Sequence, residues 1–330
     1  MNRDLKLDIL RVLSMLTVIL IHVTAAYENT NTFDSHDINS WILEILNKSL
    51  FWCVPIFFML SGALLLNKSD ESISIFYKRR MGKIVIPTLF WSGFFLAYLS
   101  IFKDFTLFNI VGSLFKGAPF YHLWFMYAII GIYIFTPYLR ILLANLSLVQ
   151  IKYLIIIIFI FTIGNNYLAN YFDNQSTLFS SFISYLGYFI LGYYLYKTKN
   201  DFQKHTTSYG ILFLMSLITV SIGSIVLKYI LHVNIPIIGY YTPFVAFQAI
   251  ALYLYIITNS REIKLPKLWI HLSLYSFGVY LMHPAFILLS ESYMTMDHLV
   301  SLPFFYLLVL VGSYTAVYTL SKIKFLKNLV

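Results

Sequence analysis

A single cysteine in 330 residues, Cys53, excludes an intrachain disulfide and any cysteine-built metal cluster. It reads as apolar filler, with an acyl-thioester nucleophile as the remote alternative. Charge is scarce too. Only 11% of the residues are Asp, Glu, Lys or Arg, against 59% apolar and 19% aromatic, and ordinary soluble domains carry about 25% charge. That balance excludes a water-soluble enzyme. No stretch outside the apolar runs exceeds about 25 residues, so the chain reads as one transmembrane domain over 1–330 with no appended soluble domain. It also lacks an internal repeat and the matched Gly/Pro-broken helices that mark many transporters.

Apolar runs fill the space that charge vacates. Windows of roughly 20 residues predict about ten spans in an all-α bundle, near 9–27, 50–66, 84–102, 123–143, 153–170, 178–196, 210–231, 240–257, 271–290 and 303–321. With both termini cytoplasmic, all of the 23 Lys and Arg except Lys48, Lys103, Lys116 and Lys228 fall on the inner side. Glu28, Asp34, Asp37, Glu44, Glu291 and Asp297 fall outside. This is the positive-inside pattern, and it accounts for the formal charge of +9 by short juxtamembrane loops, without nucleic acid. A cleaved signal peptide fits the first span poorly, despite Thr24, Ala25 and Ala26, because further spans follow and its ionisable residues would be discarded.

Those ionisable residues are the best clue to chemistry. Arg11 and His22 lie at opposite ends of the first span, ~16 Å apart along a helix and within ~20° of one face; Asp8 shares that face. An ionisable group in hydrocarbon costs ~2.5–3.5 kcal/mol even on lenient scales, so such a stripe suggests a functional path across the bilayer. His122 and His283 fall at similar depth to His22, while His36, His205, His232, His271 and His298 fall in loops or at span edges. Histidine exchanges a proton near neutral pH, as acyl transfer to a hydroxyl requires.

Four further runs carry information. Phe76 to Lys83, followed by Pro87, is a cationic inner loop, either a topology anchor or a phosphate clamp of Arg79, Arg80 and Lys83. Phe57 to Gly62 sets Ser61 beside a glycine, which suits close helix packing. Tyr121-His122-Leu123-Trp124-Phe125 suits a membrane belt or a sugar-stacking platform. Tyr275 to Pro284 sets His283 before a proline that frees a backbone carbonyl and kinks the span.

In this order the runs resemble acyltransferase family 3, in the branch that O-acetylates cell-surface carbohydrate. The resemblance covers most of the chain. It implies an acyl-CoA donor, most simply acetyl-CoA, entering from the cytoplasm, and an acceptor glycan on the far side of a bacterial inner membrane. No metal and no tightly bound cofactor are implied. Arg11, Arg79, Arg80 and Lys83 would hold the CoA phosphates. His22 would serve as general base or transient acyl carrier, with His283 as its catalytic companion. Ser61, His122, Trp124, Glu28 and Glu44 would meet the sugar, and Asp8, Tyr280 and Pro284 would support the site. Lys83 stands where relatives often have a further Arg, and no extracytoplasmic hydrolase-like domain follows the last span. The acyl group, the sugar, and a homo-oligomer or glycan-assembly partner stay open. An O-succinyltransferase is the near alternative, and a glycan flippase the one from another class.

Overall fold

The computed structural model describes residues 3–29, 37–68, 71–171, 181–230, 239–261, 263–264, 266–291, 293 and 298–330. Asp34, His36, His232 and Asp297 lie outside them. The described residues are helical and hold no strand. In chain order the helices are α1 (Leu5–Asn29), α2 (Ile38–Ser49), α3 (Cys53–Leu65), α4 (Ile73–Phe102), α5 (Leu107–Lys116) and α6 (Trp124–Ala144). Next come α7 (Leu148–Tyr171), α8 (Ile183–Lys197), α9 (Thr206–Ile225), α10 (Pro243–Thr258), α11 (Pro266–Glu291) and α12 (Leu302–Ser321).

Eight helical stretches among the described residues are long and apolar enough to cross a membrane. The sequence windows overlap all of them, but 178–196 and 240–257 correspond to α8 and α10, of 15 and 16 residues, which fall short of the ~20 that a straight span needs. The window 50–66 proves to be the second part of a longer apolar stretch, Ile38–Leu65. Its first part, α2, resembles an outer loop in sequence because Asn39, Glu44, Asn47 and Lys48 dilute its hydropathy. Asp37 starts it, its carboxylate accepting from the Asn39 amide at 3.0 Å. A second correction concerns the cationic inner loop, which is helical: Ser72 caps α4, and Phe76 to Lys83 form its first turns. Lys, Arg and Met are good helix formers, and together they outweigh the single Gly82, so the helix extends back to the cap.

The chain divides into two compact units, Met1–Phe57 with Thr198–Leu320, and Phe58–Lys197 with Ser321–Val330. In the first, α1 is central and packs on α2, α10 and α11. Asp8 meets Ser273 near the N-terminal ends of α1 and α11, and His22 meets His283 towards their C-terminal ends, so these two helices run parallel. Helix α12 runs the other way, its Tyr306 and Tyr314 hydroxyls donating to the Leu16 and Leu272 carbonyls. In the second unit α3 and α8 touch backbone to backbone. A Cβ on Gly62 would come within 1.7 Å of the Phe189 carbonyl oxygen, and one on Gly192 within 2.0 Å of that of Met59. The small-residue packing expected at Ser61-Gly62 is therefore realised, with Gly192 as its counterpart. Trp91 ties the C-terminal segment to this unit by donating to the Leu329 carbonyl at 2.9 Å.

Helix hydroxyls are satisfied locally. Thr17, Thr88, Ser92, Thr136 and Ser313 each donate to the carbonyl one turn back, which suits hydrocarbon, where no water completes a hydrogen bond.

Candidate functional site

At the N-terminal end of the α1/α11 pair, Asp8 is buried and gathers three donors. Arg3 Nε reaches its Oδ2 at 2.5 Å, Arg11 Nη1 reaches Oδ1 at 3.2 Å, and the Ser273 hydroxyl donates to Oδ1 at 2.7 Å. The same hydroxyl accepts from Arg11 at 3.0 Å. A buried carboxylate is tolerated only with such partners. The consequence is a fixed Arg11: one edge of its guanidinium is held by α1 and α11, while its side chain keeps 29% exposure. Asp8 and Arg11 thus meet as their shared face predicted. Ser273 was missed, since one serine in an apolar helix carries no signal of its partners.

Further along the same face of α1, Met15 and Val18 are buried, so packed apolar side chains, rather than a polar stripe, separate Arg11 from His22. His22 is half-buried. Its ring stacks on that of His283, centroids 5.2 Å apart and planes 28° from parallel. His283 is fully buried.

Sequence explains how His283 is held. Pro284 has no N–H, so the helical donor to the Tyr280 carbonyl is missing. His283 Nδ1 takes its place at 2.7 Å, with the Val279 carbonyl at 3.2 Å. Carbonyls only accept, so Nδ1 carries a proton, and in the neutral ring Nε2 keeps the lone pair. One tautomer of a buried imidazole is thereby selected by the residue that follows it. Tyr280 is buried, its ring 6.0 Å from that of His283.

Polar contacts flank the pair along α1. The Asn47 amide donates to the Ile21 carbonyl at 3.3 Å and the Thr24 hydroxyl at 3.1 Å, tying α2 to α1 one residue from His22. Glu44 shares the buried face of α2 with Asn47, whereas Glu28 is exposed on the last turn of α1. Tyr27 and Ser301 hydroxyls lie 2.6 Å apart above. Asn47 carries no signal in the sequence, because the polar residues of α2 make that helix look like a loop.

The second unit holds the other candidates. Arg79 is 70% exposed and pairs with Glu71 at 3.6 Å, and Lys83 is exposed. Arg80 is half-buried, and its Nε has no hydrogen-bond partner among the described residues. Beside them is Arg140, which the sequence suggested only as a topology charge. It is buried, donates to the Leu65 carbonyl at 2.8 Å and to Glu71 Oε2 at 3.2 Å from both terminal nitrogens, and lies over the Phe76 ring at 4.7 Å. Arg140 thus caps α3 and anchors Glu71, which in turn restrains Arg79. Ser61 is half-buried on α3. His122 is buried among the rings of Phe95, Phe120 and Tyr121, at 5.1, 5.8 and 5.6 Å. Trp124 is half-buried and stacks at 5.4 Å on Tyr185, which stacks at 4.3 Å on Phe58.

An acyltransferase domain, that of acyltransferase family 3, matches residues 4–322. The chain belongs to acyltransferase family 3. No curated protein and no solved structure matches it. The family match runs through both units, from Asp4 just before α1 to Lys322 just beyond α12. As a membrane acyltransferase, the protein needs a group that accepts a proton from the attacking nucleophile. In the first unit His22, half-buried and backed by a tautomer-fixed imidazole, has the chemistry for that step. Among the described residues no cluster of His, Cys, Asp and Glu is suited to hold a metal ion.

Proposed function

We propose that this acyltransferase moves an acetyl group from cytoplasmic acetyl-CoA to a hydroxyl of an extracytoplasmic polysaccharide or lipid-linked glycan. The observation that carries this reading is the His22–His283 stack, set on a helix pair whose inner end fixes Arg11. Arg11 in the first unit, and Arg79, Arg80 and Lys83 in the second, are the residues assigned to the phosphates of the donor. His22 accepts the hydroxyl proton as the sugar oxygen attacks the thioester carbonyl; the carbon–sulfur bond then breaks, and the departing thiolate recovers that proton as CoA thiol. His283 supports His22 through its fixed tautomer. Ser61, Trp124, Glu28 and Glu44 contact the sugar, His122 shapes that end from within its aromatic cage, and Asp8, Tyr280 and Pro284 hold the machinery in place. The chain sits in a bacterial inner membrane with both termini cytoplasmic and about ten spans, counting the short apolar helices α8 and α10 beside the eight long stretches.

Labelled acetyl-CoA and membranes test the reading. Wild type should label surface glycan, His22→Ala should lose about 100-fold or more, and Arg11→Ala should raise the donor concentration needed. Succinyl-CoA as the working donor changes the acyl group but keeps the enzyme. Failure of both donors, with glycan export lost in a deletion strain, would replace the reading with a transporter.

A further inference from the structure

In the first unit, the C-terminal end of α10 and the 3-10 stretch Lys199–His205 leading into α9 border a cavity of about 790 Å³. None of the residues assigned above lines it. Its rim is basic. Lys204 and Arg261 are both exposed, and neither forms an ion pair among the described residues. Thr206 and Thr258, with hydroxyls 2.8 Å apart, join the two helices beneath that rim. Deeper in, the Tyr255 ring lies against Gly210, where an added Cβ would stand 3.0 Å from it. The outer wall is Ile211 and Leu214, which are 53% and 59% exposed on a helix apolar enough to cross a membrane.

We propose that this cleft holds an anionic phospholipid, its phosphate at Lys204 and Arg261 and an acyl chain along Ile211 and Leu214. Charge complementarity and the wall choose the occupant together. A water-soluble phosphate would meet only the two cations, whereas a lipid at the membrane surface meets the cations with its phosphate and the lipid-facing Ile211 and Leu214 with its own acyl chain. Lys204 and Arg261 also belong to the side where the Lys and Arg of the chain concentrate, and that side faces the anionic cytoplasmic leaflet, where basic pockets between helices capture headgroups.

Native mass spectrometry of the full chain in neutral detergent reads the site directly. Dioleoylphosphatidylglycerol should be retained on wild type in preference to dioleoylphosphatidylcholine. Lys204→Glu with Arg261→Glu should reduce that retention by about tenfold or more, with an unchanged elution profile showing that the fold survives. Ile211→Trp obstructs the apolar side without touching the cations, and should also reduce retention. Equal retention of both lipids, or full retention in the charge-reversed variant, overturns the proposal. So does stoichiometric displacement of the lipid by free CoA, which would make the cleft a donor site.

Discussion

Pro284 shows how one residue shapes another's chemistry. By withholding an amide it leaves the Tyr280 carbonyl to His283 Nδ1 at 2.7 Å, and the tautomer follows. Replacing it with alanine restores a competing N–H donor to that carbonyl. Pro284→Ala should therefore lower acyl transfer by about tenfold, a change of about 1.4 kcal/mol in barrier, at undiminished protein level on a blot. Wild-type rates in that variant would show that the carbonyl does not orient the imidazole. The proline was legible in the sequence as a carbonyl-freeing residue. Which donor would take the carbonyl was not, since that depends on the rotamer His283 adopts inside the packed pair.

Among the elements, the α3–α8 contact and the cap on α3 make opposite demands. The contact needs nothing at all where a side chain would stand. Gly192→Ala places a Cβ about 2.0 Å from the Met59 carbonyl oxygen, so backbone rather than a flexible side chain must move. Overpacking of this kind costs ~1–3 kcal/mol or more, and thermal unfolding in detergent should report a lower midpoint. The cap instead needs a charge. Arg140→Met leaves Glu71 and the Leu65 carbonyl without their buried donor, and should destabilise by about 3–5 kcal/mol. Adding Glu71→Gln removes the stranded charge and should recover part of that loss; a double variant no better than the single would argue against the pair. Gly62 stood out in the sequence as a packing residue. Arg140 did not, because a basic residue at a span end reads the same whether it faces lipid headgroups or a neighbouring helix.

For the whole molecule, orientation is the property that charge placement argues most directly. Cys53 is fully buried, so the wild-type chain offers little background to a membrane-impermeant maleimide. Lys103→Cys, at the expected outer face, should be labelled in intact cells, and Lys324→Cys only after permeabilisation. The reverse pattern would invert the topology and, with it, the side from which the proposed donor would reach Arg11. Both positions are exposed, so a silent residue would not be explained by burial.

The sequence by itself determined the solvent of this protein and where its chemistry could lie. Long apolar runs with scarce charge exclude water as the surroundings of the spans, and an Arg11–His22 pair within such a run is costly enough to need a reason. Those are properties of spacing and transfer free energy, which act along one helix and can be read from it. Tertiary structure decided the partners. Ser273 on Asp8, Asn47 beside His22, His283 stacked on His22 and Arg140 on Glu71 join residues far apart in the chain. Periodicity assigns a residue to a face, but only packing selects the face it meets.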